Sequence, residues 1–115
     1  MNRRQTGARY EAAAAAYLEK AGYRILERNF RCRSGEIDLI ARHKGYLVFI
    51  EVKYRRDSRA GHPEESVDRR KQERIIGAAR FYLCRHGYKT DTACRFDVVS
   101  VEGDTVRIIE DAFWT

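Results

Sequence analysis

A single proline in 115 residues, three cysteines without a C-x-x-C pair, and no long apolar run remove several protein classes at once. Cys32, Cys84 and Cys94 are odd in number, so any disulfide scheme strands one thiol, and reduced thiols are the better reading. His43, His62 and His86 are scattered, with none four residues from another, which argues against a zinc site. The longest stretch free of charge is the seven residues 12–18, AAAAAYL. A membrane-spanning helix needs about 20 apolar residues, so none is expected. That stretch follows Arg3, Arg4 and Arg9, yet alanine is a weak signal-peptide residue and the pattern continues as an amphipathic helix. A cytoplasmic protein is therefore expected. Internal repeats and low-complexity tracts are also lacking, and a chain of this length suits one domain, residues 1–115, burying roughly two-thirds of its unfolded surface.

Acidic residues are scarce over most of the chain. Residues 1–89 hold 21 Lys and Arg against 11 Asp and Glu, whereas residues 90–115 hold 2 against 6. Arginine supplies 18 of the 23 basic side chains, a bias that suits bidentate contacts to phosphate. A basic body of this kind points to a polyanionic partner, and the competing reading is a solvated basic surface.

Hydrophobic spacing orders the elements as αβββαββ. Tyr10, Ala14, Tyr17, Leu18 and Ala21 recur at helical spacing, with Thr6 as a cap and Gly22 as a stop. Residues 23–32 read as a strand with an irregular end. Residues 36–54, EIDLIARHKGYLVFIEVKY, hold two β-rich runs around Lys44 and Gly45, a hairpin signal. The polar, basic segment 55–65 reads as a mobile loop. Ser66 can cap a second helix ending at Gly87, with Val67, Lys71, Ile75, Ala78 and Tyr82 on one stripe. Two strands follow, near 94–101 and 106–110, and Ala112, Phe113 and Trp114 are expected to dock on the body. Such an order indicates a mixed sheet flanked by helices.

The hairpin register carries the chemistry. With a two-residue loop at Lys44 and Gly45, opposed residues have numbers that sum to 89, so Leu39 faces Ile50 and Asp38 faces Glu51. One face then carries Ile37, Leu39, Ala41, Val48, Ile50 and Val52, all apolar, and a slip of one residue would mix the faces. The other carries Glu36, Asp38 and Ile40 across from Lys53, Glu51 and Phe49. Opposed like charges on a sheet are destabilising, with Cβ atoms about 4.5–5.5 Å apart, so something must offset the repulsion. A divalent cation does so naturally, since Mg²⁺ is commonly held by one or two carboxylates. Lys53 projects to the same face, where its ammonium could orient an attacking water or neutralise transition-state charge. The bland reading of E-x-K is a solvated strand face with a Glu36–Lys53 ion pair.

These residues also resemble a known group. Asp38, then Glu51, Val52 and Lys53, after a helix bearing Glu11, resembles the PD-(D/E)XK nuclease superfamily, in particular the archaeal Holliday-junction resolvases. GEIDLIARHKGYLVFIEVKYRR, the Lys71–Gln72 pair, RFDVV at 95–99 and DAF at 111–113 are similar to the bacterial YraN-type family over nearly the whole chain. The superfamily resemblance implies a restriction-endonuclease-like mixed sheet, dependence on Mg²⁺ or Mn²⁺, DNA strand cleavage and a homodimer with two sites. By position it makes Asp38 and Glu51 metal ligands, Lys53 the catalytic lysine and Glu11 an accessory acid at the metal. Ile37 stands where the superfamily's name has proline.

Other positions stay open at this level. Glu11 lies at the edge of its helix stripe and could point inward or to solvent. Lys71 could snorkel to solvent or reach DNA or the carboxylates. Asp97, in an apolar strand, reads as a hydrogen-bonding structural acid, and Glu36 as an ion-pairing residue. The leading expectation is a metal-dependent DNA endonuclease acting on branched or repair intermediates. One alternative is a non-catalytic nucleic-acid-binding module that uses Arg55, Arg56, Arg59, Arg69, Arg70, Lys71 and Arg74. Another is a protein-interaction domain that uses the acidic C-terminal segment or Phe113 and Trp114.

Overall fold

The computed structural model describes residues 3–55 and 67–113, with side chains from Arg9 onward. Helix α1 (Arg3–Lys20) precedes strands β1 (Arg24–Cys32), β2 (Gly35–His43) and β3 (Tyr46–Arg55), helix α2 (Arg69–Arg85) and strands β4 (Cys94–Glu102) and β5 (Thr105–Ile109). The expected order αβββαββ is observed. All five strands form one sheet in the order β1-β2-β3-β4-β5, antiparallel except for the parallel pair β3–β4. Parallel neighbours need a crossover connection, and α2 lies within it.

The two helices pack on opposite faces. Ala14, Ala15 and Leu18 of α1 cover Leu39, Ala41, Val48, Ile50, Val99 and Val101. Val67 and the α2 residues Ile75, Ala78, Ala79 and Tyr82 cover Ile40, Leu47, Phe49, Phe96 and Val98. Strand β3 is therefore apolar on both faces from Leu47 to Ile50, as central strands in doubly covered sheets are. Tyr17 of the expected α1 stripe is exposed, and Ala15 takes the buried place.

Local chemistry sets the boundaries. Helix α1 starts at Arg3, so Thr6 falls inside it and does not cap it. Gly22, with φ 94°, ends it, as Gly22 N–H and Tyr23 N–H donate back to Glu19 and Leu18 carbonyls. Ser66 lies outside the described residues; the cap of α2 is Asp68, whose Oδ1 accepts the Lys71 amide at 2.8 Å. Lys44 (φ 48°) and Gly45 (φ 83°) form the two-residue hairpin turn, and the pairs Leu39–Ile50, Ala41–Val48 and His43–Tyr46 confirm the register.

One face assignment is corrected. Ile37 packs with Phe30 under α2, whereas Leu39 packs under α1. The alternation breaks at Asp38, which lies opposite Asn29 between the pairs Arg28–Leu39 and Phe30–Ile37, and Asn29 leaves extended backbone with φ 54°. The β2–β3 ladder also ends at Leu39–Ile50. At the C-terminus Phe113 is buried and stacked on Phe96, which removes it from any docking surface. Trp114 lies outside the described residues, as does segment 56–66, which holds most of the expected loop.

Candidate functional site

Asp38 stands just beyond Leu39–Ile50, where the β2–β3 ladder ends. Its Oδ2 accepts the Val52 amide at 2.8 Å, taking over a bond that a continuing ladder would have supplied from backbone. Glu51 stands beside it on β3, its side chain only 7% exposed. Both carboxyls line one cavity and the charge of Glu51 is near enough to act on Asp38, so the two stand together as expected. Burial first, then the charge of Glu51, pushes the Asp38 pKa up to about 8, against the opposing Val52 hydrogen bond.

Two lysines converge on one oxygen of this pair. Lys53 Nζ is 3.5 Å from Glu51 Oε1, and Lys71 Nζ, from the first turn of α2, is 2.6 Å from the same atom. Lys71 thus reaches the carboxylates across the sheet–helix gap. Burial and the neighbouring Lys71 lower the Lys53 pKa, with Glu51 acting in the opposite direction. Burial also works against the Lys71 ammonium, but its contacts with Glu51 and Lys53 outweigh it and raise its pKa. Glu36 pairs with Arg31 at 3.3 Å, so a Glu36–Lys53 bridge is not formed.

A cavity of about 470 Å³ opens here, lined by Asp38, Glu51 and Lys71, with Arg70 and Arg74 among its wall residues. Its depth is set by close backbone approach: a Cβ on Gly35 would lie 3.1 Å from both Arg74 Cβ and Arg74 O. Glycine at the start of β2 lets α2 settle this near, which brings Lys71 within reach of β3.

The remaining candidates divide. Glu11 is half-buried on α1, near enough for its charge to raise the Asp38 pKa, but it does not line the cavity. Among the described residues no three His, Cys, Asp or Glu side chains gather closely enough to hold a metal ion. Glu11 therefore acts on Asp38 through its field and does not complete a third ligand, because α1 packs on the face away from α2. Arg55 is also corrected: it is 8% exposed, in register with Glu102 of β4 and 3.8 Å from its carboxylate, so parallel pairing buries it. Arg69 and Arg70 are exposed, and Arg69 lies 3.7 Å from Glu73 one turn on. Arg56 and Arg59 lie outside the described residues.

Asp97 is structural, as expected. It is 0% exposed and accepts from Arg95 Nε (2.9 Å), Arg95 Nη2 (2.8 Å), Tyr23 Oη (2.7 Å) and the Asp111 amide (3.0 Å). Arg95 also meets His43 Nδ1 at 2.7 Å and Tyr23 Oη at 3.0 Å, tying β2, β4 and the residue just before β1 together at the far end of the sheet. No described helix is long and apolar enough to cross a membrane.

Comparison with known proteins follows the same residues. The model of the family described as "Uncharacterised protein family UPF0102" matches residues 10–101. A UPF0102 protein of Lachnoclostridium phytofermentans is 49% identical over 113 residues, covering 98% of this chain and 96% of its own. One from Chromohalobacter salexigens is 54% identical over 100 residues, covering 87% and 80%. Another, from Moorella thermoacetica, is 48% identical over 119 aligned positions, covering 98% of each chain. With the hairpin, the RFDVV strand and both helices inside a match of this extent, the chain belongs to UPF0102, the YraN-type family that its motifs resemble.

Proposed function

We propose that this protein is a metal-dependent DNA endonuclease that hydrolyses phosphodiester bonds in branched or repair intermediates. The observation that carries the reading is the placement of Asp38 and Glu51 side by side, with Lys53 on the same face, at a cavity walled by Arg70 and Arg74. A buried carboxyl that holds its proton near pH 8 beside a second carboxylate is poorly served by its own surroundings. Two hard oxygen donors at an open cavity fit Mg²⁺ or Mn²⁺, which bind through one or two carboxylates and keep their other positions for water and phosphate.

Asp38 and Glu51 would hold the ion, which supplies Lewis-acid polarisation of a phosphoryl oxygen. The chain's own groups do the rest. The Val52 amide fixes the Asp38 carboxyl. Lys53, with its lowered pKa, stands where it can orient a water and share its proton. Arg70 and Arg74 offer guanidinium groups to phosphates flanking the scissile bond. In this reading the protein works in the cytoplasm as a homodimer that presents two such sites to a branched duplex.

The second reading, a binding module without turnover, is favoured by the 2.6 Å Lys71–Glu51 bridge, which neutralises the carboxylate without any metal. Linear, flapped and four-way-branched DNA incubated with Mg²⁺ or Mn²⁺ separates the two. Cleavage by the wild type and its loss in Lys53→Ala, with DNA binding retained, is the expected result. Binding of branched DNA without cleavage of any substrate would establish the module instead.

A further inference from the structure

Glu51 Oε1 is the hub of the site. It receives Lys71 at 2.6 Å and Lys53 at 3.5 Å, and the Glu51 side chain has almost no solvent of its own. The partner carboxyl, Asp38, already spends one oxygen on the Val52 amide. A divalent cation coming to this pair therefore meets an ammonium seated on the oxygen it needs.

The groups differ in freedom. Glu51 and Asp38 are anchored on strands of the buried sheet, whereas the Lys71 side chain is 41% exposed and leads into the cavity through a flexible four-carbon stem. Its backbone is fixed, since the amide is held by the Asp68 cap at 2.8 Å. Only the side chain need move for the contact to break. The same swing carries the ammonium toward the cavity wall that Arg70 and Arg74 share, where a phosphate would lie.

We infer that Lys71 is an internal counter-ion for Glu51 that competes with the divalent cation, clamping α2 to β3 in the metal-free protein and turning to the substrate phosphate when metal enters. This rests on the metal-site reading above and adds a positioning residue to it. Lys71 is distinguished from Lys53 by its origin on the helix and from Arg70 by its direct contact with the metal-binding oxygen.

The test is Mn²⁺ titration by calorimetry of wild type, Lys71→Met, Lys71→Gln and Arg70→Met. Arg70→Met removes one equal charge from the same cavity wall and controls for the general field. Losing a competing charge-assisted contact should tighten Mn²⁺ binding about ten-fold in Lys71→Met, and Arg70→Met should stay within about two-fold of wild type. In chelator, Lys71→Met should unfold at lower urea than wild type, because the carboxyl pair has lost a counter-ion. Lys71→Gln supplies the same comparison if the methionine variant does not fold. Mn²⁺ uptake by a Lys71 variant but not by wild type would support the inference in its strongest form. Unchanged or weaker Mn²⁺ binding in the Lys71 variants, or equal tightening in Arg70→Met, would overturn the inference and leave the metal site standing. Absence of Mn²⁺ binding in every protein would overturn both.

Discussion

Replacing Asp38 with asparagine should stabilise the metal-free protein, and the gain should depend on pH in a direction fixed by the site. The folded Asp38 carboxyl keeps its proton to about pH 8, while an unfolded chain releases it near the ordinary value of 3.8. Between those values the folded state binds more protons than the unfolded state, so stability falls as pH rises. Below pH 4 both states are protonated and the penalty is absent. Each pH unit in the window costs at most about 1.4 kcal/mol, which bounds the loss at pH 7 near ~4 kcal/mol. Because two ammonium groups stand beside the pair and offset part of the repulsion, half of that, about 2 kcal/mol, is expected. Asparagine keeps the acceptor for the Val52 amide and offers Glu51 a donor, so it imitates the protonated acid without the penalty.

Urea unfolding of wild type and Asp38→Asn in chelator, from pH 4 to 8.5, measures this as a difference in which titrating groups distant from the site cancel. The curves should coincide at the acid end and diverge in favour of the variant toward pH 8. Parallel curves, or a variant less stable at pH 7 and above, would refute the picture of two crowded carboxyls. Adding Mn²⁺ should invert the order. A ligand at 100 times its dissociation constant stabilises by about 2.7 kcal/mol, and only the wild type has both charges with which to bind it.

Three further outcomes follow from the same structure. Binding to duplex DNA should weaken with salt at a log–log slope of about −0.9 per phosphate neutralised, and Arg70→Ala with Arg74→Ala should flatten it by about two contacts, read by fluorescence anisotropy. Asp97→Ala should destabilise by about 3–5 kcal/mol, since it leaves the Arg95 guanidinium buried without a carboxylate, whereas Tyr23→Phe should cost only about 1 kcal/mol, both from urea midpoints. Gly35→Ala should cost about 1–3 kcal/mol, because its methyl group would press on the Arg74 carbonyl and lift α2 from β2, and the Lys71–Glu51 contact should loosen with it.

What the sequence revealed, and what it hid, follows from the range of the forces involved. The hairpin was legible because Lys44-Gly45 suits a turn with positive φ at both positions, and because period-two alternation leaves one register that sorts polar from apolar. Asp97 was legible as structural because a lone acid in an apolar run must find donors. Ile37 departs from the alternation rule because that rule assumes regular extended backbone, and the positive φ of Asn29 opposite Asp38 belongs to β1, a neighbouring strand. Charge alone suggests exposure and so a phosphate contact for Arg55; its register with Glu102 exists only once β3 and β4 run parallel. Lys71 carried a usable signal, a cation midway along the Val67–Ile75 stripe, but its partner across 20 residues of chain is fixed only by how closely Gly35 lets α2 approach.

The two aspartates of the sheet show how one residue type divides between scaffold and chemistry. Asp97 and Asp38 each sit on a strand beneath other elements. Asp97 has both oxygens filled, with four hydrogen bonds from Arg95, Tyr23 and the Asp111 amide, and the pairing raises the Arg95 pKa in turn. Nothing is left for a ligand to supply there. Asp38 has one amide donor and a second carboxyl for its neighbour, and it answers by holding a proton. The difference traces to topology. At the far end of the sheet several strands and the C-terminal segment converge and bring their donors with them. Toward the carboxyl end of β3 the β2–β3 ladder has already ended at Leu39–Ile50, and the one backbone donor that reaches Asp38 is the Val52 amide. Open α/β sheets bind their ligands outside the carboxyl ends of their strands, and Glu51 stands in the carboxyl half of β3. The carboxyl pair placed there is completed by groups from beyond its two strands: by Lys71 of α2 on Glu51 in the metal-free protein and, in the proposed reaction, by a divalent cation.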